Sequence, residues 1–499
     1  MKNYGILCLL LLSGNMFAQS WETQALQLLD QLEIQMLGTS KNALYKKAST
    51  QLFSEKMKQG WSTHFFQQEG LPSSRAKPTS PFQLSGAKAL NKSTKLAVAT
   101  TTNLSSSFLN AQLSLAELSL LSLPSLPEKM LQKLNMQASY NFYGKSVLIN
   151  YDGAFRFSLK GGSLTKSRII EKWRQMENAQ HTAIRYQLMQ QSSSLNLNDW
   201  GFCQLVNTTA KQIYPGDQNA QTLFNFFCFS KAGYKAKISY NARSLFLLMP
   251  TKQRLYGASY LREGSRKYYV LDLNRNKQLN LRQAQVLDIS YPNTEKILDF
   301  RIKYPMRLKS SPVLKTYSFK YAGKTYRFPI KINKNLVDFY RTYPFTDLDI
   351  MLSAPMSRMS EQTLIPSLRK ILYGKSEEAS INFLLRFVQT AFPYKRDLEQ
   401  FGKENYLFLE ETFYYPYSDC EDRSVLFAYL VRKVLKLDVI GLIFPGHAAT
   451  AVRFSRPTKG TYIAHKGKKY IICDPSYINA EYGRVLPDVA NKKARIIDF

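Results

Sequence analysis

Beyond about residue 135 the chain says much the same thing twice, and that repetition limits what it can fold into. "FYGKSVLINY" (142–151) is echoed by "YAGKTYRFPI" (321–330), and "FCQLVNTTA" (202–210) by "LLRFVQTAF" (384–392). "LFNFFCFSKAGYKAKI" (223–238) aligns without a gap on "LFAYLVRKVLKLDVIG" (426–441), and "KYYVLDLN" (267–274) on "KYIICDPS" (469–476). The offsets run 179, 182, 203 and 202, a monotonic order with one insertion of about twenty residues in "KRDLEQFGKENYLFLEETFYYPYS". The first pair alternates apolar and polar residues around a Gly-Lys turn, which predicts a β-hairpin in each copy. The two later pairs read as an apolar helix leading into a strand, followed by a further strand. The expected class is therefore α+β, with one unit used twice. At the gap-free offset Cys420 stands opposite Asp217, His447 opposite Ser244 and Asp474 opposite Asp272, so chemistry is expected in the second copy and not in the first.

The region ahead of the repeat has another character. Lys2 followed by the apolar run Ile6–Leu12 and by Met16-Phe17-Ala18-Gln19 has the form of a cleaved export signal, residues 1–18. Its seven apolar residues are too few for a bilayer span, which takes about 20. A periplasmic or secreted protein of Gram-negative type, without a transmembrane segment, is expected. Residues 19–68 read as a helical N-terminal region, and 69–130 as a Ser/Thr/Pro-rich linker with one helix. The first copy then occupies 131–285, a β-rich segment and connector 286–365, and the second copy 366–499. The formal charge of +32 becomes +31 once Lys2 is lost. Such a surplus favours an anionic envelope surface. The charges are scattered in ones and twos with no basic helix, so nucleic acid is not expected as a partner.

The second copy carries the chemistry. Ser418-Asp419-Cys420-Glu421 fits a capping box, with Ser418 as N-cap and Glu421 three residues on. Leu426, Leu430, Val434 and Leu437 follow on one helical face. Cys420 then falls in the first turn, where free N–H groups favour a thiolate, although Glu421 and Asp422 oppose it. A base is needed, and the chain offers four histidines: His64, His181, His447 and His465. His64, His181 and His465 are read as surface residues. His447 begins "HAATAVRF", a strand that follows the strand "DVIGLIF" and a Pro445-Gly446 turn. "KKYIICDPS" ends a further strand at Asp474. Antiparallel pairing would set His447 beside Asp474, with the Cys420 helix across the sheet: a nucleophile, its base and an orienting carboxylate. Cys203, Cys228, Cys420 and Cys473 show no metal-ligand spacing, so no metal or cofactor is expected; a Cys203–Cys228 bridge is left open. The Gly-Lys-Ser/Thr triplets at 144–146 and 323–325 lack the earlier glycine of a phosphate loop and are read as turns.

"ETFYYPYSDCEDRSVLFAYLVRKV", "PGHAATAVRF" and "YIICDPSY" together resemble the catalytic core of the bacterial transglutaminase-like superfamily, part of the papain-like circle of Cys-His-Asp proteins. The likeness covers about residues 370–480. Ser418 stands where many members carry Gly, and no tryptophan follows Cys420. The resemblance implies tandem papain/transglutaminase-like units, the first degenerate, and acyl transfer at Cys420 with His447 as base and Asp474 orienting it. The Cys420 N–H, with Tyr415 or Tyr417, would hold the oxyanion. The implied substrates are amide or ester carbonyls of proteins or peptides, in the cell envelope for instance, with hydrolysis favoured over cross-linking. The alternative is a non-catalytic envelope binding or assembly protein built from the same modules.

Overall fold

The computed structural model describes residues 61–63, 66–69, 133–274, 279–287 and 294–499. The export signal, the helices expected before residue 61, the linker and His64 lie outside them. Two short strands come first, β1 (Trp61–Thr63) and β2 (Phe66–Gln68). They lie at the end of the 19–68 region expected to be helical, whose last described residues are therefore strand. β1 pairs with Gln285–Leu287 and β2 with Ser259–Leu261, so each completes the edge of a sheet, and pairing overrides local preference there.

A hairpin follows, β3 (Met136–Phe142) and β4 (Lys145–Tyr151), turned by Tyr143 and Gly144 at φ 46° and 84°. Two positive φ values are what a two-residue hairpin turn of matching twist requires. Four helices come next: α1 (Lys166–Asn178), α2 (His181–Ser194), α3 (Asp199–Ile213) and α4 (Gln218–Lys231). The side chains of Thr165, Asn198 and Asp217 cap α1, α3 and α4 by accepting first-turn N–H groups. β5 (Lys237–Tyr240), β6 (Leu245–Pro250), β7 (Ser259–Glu263), β8 (Arg266–Val270) and β9 (Gln285–Leu287) then form a sheet in the order β1-β9-β5-β6-β8-β7-β2.

A second hairpin, β10 (Pro312–Tyr321) and β11 (Lys324–Asn333), turns at Ala322 and Gly323, φ 48° and 75°. Seven helices follow among the described residues: α5 (Lys334–Tyr340), α6 (Asp349–Ser353), α7 (Arg358–Leu372), α8 (Glu377–Ala391), α9 (Asp397–Phe401), α10 (Leu409–Tyr414) and α11 (Cys420–Leu430). The chain closes with β12 (Asp438–Phe444), β13 (His447–Arg453), β14 (Tyr462–His465), β15 (Lys468–Cys473) and β16 (Arg495–Ile497), ordered β14-β15-β13-β12-β16. The pairs within these sheets are antiparallel, so the fold is α+β. No helix among the described residues is long and apolar enough to cross a membrane.

The last sheet is buried on both sides. Val439, Val452, Ile471, Cys473 and Ile497 join the large core shared with the helices, while Ile440, Leu442, Ala449, Ala451 and Ile472 form a smaller core on the opposite face. Gly441 sits where a Cβ would come 2.9 Å from Leu352 Cδ1 and 3.3 Å from Ile497 Cβ. Gly441→Val should therefore cost about 1–3 kcal/mol of stability by overpacking, read as a lower urea midpoint at unchanged slope.

Candidate active site

The cysteine is placed by a chain that changes direction at Ser418. The Ser418 N–H donates to Pro393 O (3.0 Å) and its carbonyl accepts from the Lys395 N–H (3.1 Å), so this residue is strand-like and cannot be the N-cap. Asp419 takes that role. Its side chain accepts from the Asp422 N–H (3.4 Å), and Asp422 Oδ2 accepts from the Asp419 N–H (3.2 Å). The capping box is thus Asp419/Asp422 instead of Ser418/Glu421, and Cys420 is the first helical residue. The helix is also not half-exposed: every residue from Cys420 to Leu430 is buried, and one wider π-turn (Val431–Leu435) follows it. Arg423 binds the start of the helix to the preceding segment. Its guanidinium donates to Phe392 O and to Ser418 Oγ, and lies 5.1 Å from the centre of the Tyr394 ring.

The histidine and aspartate are placed by the sheet. Phe444 pairs with His447 across a Pro445-Gly446 turn in which Gly446 has φ 76°, the residue pair a type II turn favours. β13 pairs with β15 as far as Thr450 opposite Cys473, and Asp474 leaves the sheet one residue later. The Thr450 hydroxyl donates to Cys473 O (2.6 Å) and holds that exit in place. Asp474 Oδ1 accepts from the Ser476 N–H (2.9 Å), the Ser476 hydroxyl (2.8 Å) and the Tyr477 N–H (3.0 Å). Its Oδ2 meets His447 Nε2 at 2.7 Å. Gln389 of α8 supports the arrangement by donating to Asp474 O (3.1 Å) and Ala480 O (3.0 Å).

Burial pulls the His447 imidazolium down, but the charge and hydrogen bond of Asp474, with the charge of Glu421 behind them, outweigh it and leave the pKa raised. Asp474 is held below the carboxylate range: burial opposes this, and His447 and Ser476 more than compensate. With Nε2 committed to Asp474, Nδ1 is the nitrogen left to act as base.

The sulfur lies against the strand that carries the histidine. Cys420 Sγ accepts from the backbone N–H of Ala448, the residue after His447, and the thiol donates to Glu421 Oε2 at 2.8 Å. Burial first, then the charges of Glu421 and Asp419, push the thiol well up; the Ala448 N–H works the other way. Cys420 is 7 % exposed. Sequence reasoning named the sulfur, the imidazole and the carboxylate, took Glu421 for a capping residue whose charge opposes a thiolate, and did not name Gln389 or Ser476. Adjacent helical residues do not ordinarily face each other, so spacing carried no signal for Glu421.

The two tyrosines expected at the oxyanion are engaged elsewhere. Tyr415 OH accepts from Arg341 Nε (2.6 Å) and its ring packs edge-on against Phe401, while the Tyr417 ring lies beneath the Lys395 ammonium (5.1 Å). Tyr394 is the tyrosine whose phenol is raised by Cys420, after the larger effect of its own burial. His465 pairs with Asp498 at 2.9 Å on a hairpin end, and His181 lies 3.6 Å from Glu177. Cys203 and Cys228 are free buried thiols, so the bridge left open between them is not formed.

Below the helix start lies a belt of buried carboxylates: Asp397, Glu410, Glu411, Asp419 and Asp422. Oxygens of Asp397, Asp419 and Asp422 come within 4.8 Å of one another, the geometry among the described residues that would let carboxylates share a cation. Each of the three already accepts a backbone N–H, Asp397 from Asn405 (2.7 Å) and Asp422 also from Leu407 (3.0 Å). Burial, with mutual repulsion behind it, lifts Asp397 to about 9. Burial also lifts Asp422 to about 7 and Glu411 to about 8. No protein-family model matches this chain, and neither the curated proteins nor the solved structures provide a match.

Proposed function

We propose that the protein is an exported transglutaminase-like cysteine enzyme that opens amide or ester carbonyls of protein or peptide substrates. The observation that carries this reading is the His447–Asp474 pair at 2.7 Å on the strand whose next amide, Ala448, touches the sulfur of Cys420. The thiol proton passes to His447 Nδ1, and the sulfur electron pair attacks the carbonyl carbon. The Cys420 N–H, a first-turn donor no helical carbonyl can reach, receives the developing oxyanion. Collapse expels the amine or alcohol with the proton from Nδ1 and leaves an acyl-thioester. Water, activated by the same nitrogen, releases the acid and restores the thiol.

The reading of two tandem units draws support from topology. The order β9-β5-β6-β8-β7 has the same pattern as β16-β12-β13-β15-β14. Asp217 caps α4 as Asp419 caps α11, which shifts the comparison by one residue and sets Gln218 opposite Cys420 and Leu245 opposite His447. In either register the first unit carries neither a thiol nor an imidazole at these positions. Its role in this reading is structural or substrate-binding.

Trapping the acyl-enzyme tests the proposal. Mature protein treated with p-nitrophenyl acetate should gain one acetyl group on Cys420, seen by intact mass and peptide mapping. Cys420→Ser should gain none there, and His447→Ala should acylate about 10²–10⁴-fold more slowly. Equal, slow acylation of wild type and His447→Ala would remove the enzyme reading and leave the non-catalytic binding module in its place.

A further inference from the structure

Among the carboxylates around Cys420, Glu421 is the one with no structural task. Asp419 and Asp422 cap each other's N–H groups, Asp397 holds Asn405, and Glu410 and Glu411 accept from the N–H groups of Ser357 and Phe408. Glu421 is equally buried, at 7 % exposed. Yet among the described residues the donor aimed at it is the Cys420 thiol, at 2.8 Å. A thiol is a weak donor, and burying a carboxylate against it costs more than the bond returns. Nothing in the fold is held by this contact, so its placement serves the sulfur. The same carboxylate also acts on the imidazole, whose charged form it favours.

We propose that Glu421 is a further proton-handling residue of the site, holding the Cys420 proton at rest and turning to the His447 imidazolium once that proton has moved. The inference rests on the cysteine-enzyme reading. At rest the proton stays on sulfur, donated to Glu421 Oε2. On activation the S–H bond breaks, the proton bonds to His447 Nδ1, and the electron pair remains on sulfur. Glu421 then faces a thiolate at contact distance, and like charge drives it away towards the new cation. The groups that bear on this exchange are Asp419, which caps α11, Asp422 and Arg423 on that helix, Tyr394 and Asp397 from the segment strapped to Ser418, Tyr406 ahead of α10, and His447 of β13 with Asp474 just past β15. Among the described residues, Glu421 is the carboxylate that touches the sulfur.

The test is the pH profile of Cys420 alkylation by iodoacetamide in the mature protein, its Glu421→Gln variant and its His447→Ala variant. Glu421→Gln should move the acid limb down by about one pH unit or more, so that labelling on that limb is about tenfold faster. An acid limb that stays put or moves up overturns the proposal. If that happens while acylation still depends on His447, the enzyme reading stands and the role of Glu421 falls. A second measurement needs no change at Glu421. The infrared S–H stretch, taken as wild type minus Cys420→Ser, should lie below the position of a free thiol. A band at the free-thiol position overturns the proposal as well.

Discussion

Replacing Asp474 with alanine is expected to lower the unfolding free energy by about 3–5 kcal/mol and to abolish His447-dependent acylation of Cys420. The carboxylate is 1 % exposed and accepts four hydrogen bonds, so its loss strands two backbone N–H groups, a hydroxyl and a buried imidazole together. Asp474→Asn separates the two effects. Its amide oxygen can keep the Ser476 and Tyr477 donors, so stability should fall by about 1 kcal/mol. Its NH₂ group would then point at His447 Nε2 and impose the tautomer with the proton on Nδ1, which cannot act as base; acylation should drop on the order of 10⁴-fold. Urea unfolding and the acetyl-trapping rate measure both quantities. Wild-type stability in both variants would mean that the pair is not part of the folded framework.

Raising the pH from 5.5 to 8.5 should destabilise the protein steeply. In the fold Asp422 titrates near 7, Glu411 near 8 and Asp397 near 9, whereas the unfolded chain releases these protons at the ordinary carboxyl pKa of about 4. Over the interval between, the folded state binds more protons. Each carboxyl still protonated in the fold therefore subtracts about 1.4 kcal/mol per pH unit as the pH rises. Their stabilisation is complete below the ordinary carboxyl range and lost as pH climbs through 7 to 9. Asp474, held low, works in the opposite sense and gives up its contribution only as the solution turns acid. Melting curves at pH 5.5, 7.0 and 8.5 should show a falling transition temperature, and Asp397→Asn should flatten the fall. A transition temperature that is level or rises across that range would refute the belt as drawn.

What could be read beforehand followed short-range rules. The two hairpins came from Tyr-Gly-Lys and Ala-Gly-Lys flanked by alternating residues, and the strand opening at His447 from a Pro-Gly turn between apolar runs. The cap at Cys420 was misplaced by one residue because both Ser418 and Asp419 are good N-caps. The choice between them lay in the pairing of Ser418 with Pro393 and Lys395, which no local pattern records. The strands at Trp61–Thr63 and Phe66–Gln68 were hidden for the same reason, since their partners lie about two hundred residues away. Glu421 was read as the partner in the capping box, the usual fate of an acid in a first turn, when that partner is Asp422.

The turn at Pro445-Gly446 bears on how such a protein can change its length. Loops usually lengthen at little cost, each doubling adding about 0.6 kcal/mol. The link between β5 and β6, from Tyr240 to Leu245, already has four residues where the Pro-Gly turn has two. At 445–446 the constraint is register: an added residue taken up by the strand instead of the turn would slip β13 by one and turn every one of its side chains to the opposite face. His447 would then leave Asp474 while the sheet kept its hydrogen bonds. A change of length at this turn is therefore compatible with the His447–Asp474 pair only where it leaves the register of β13 as it is.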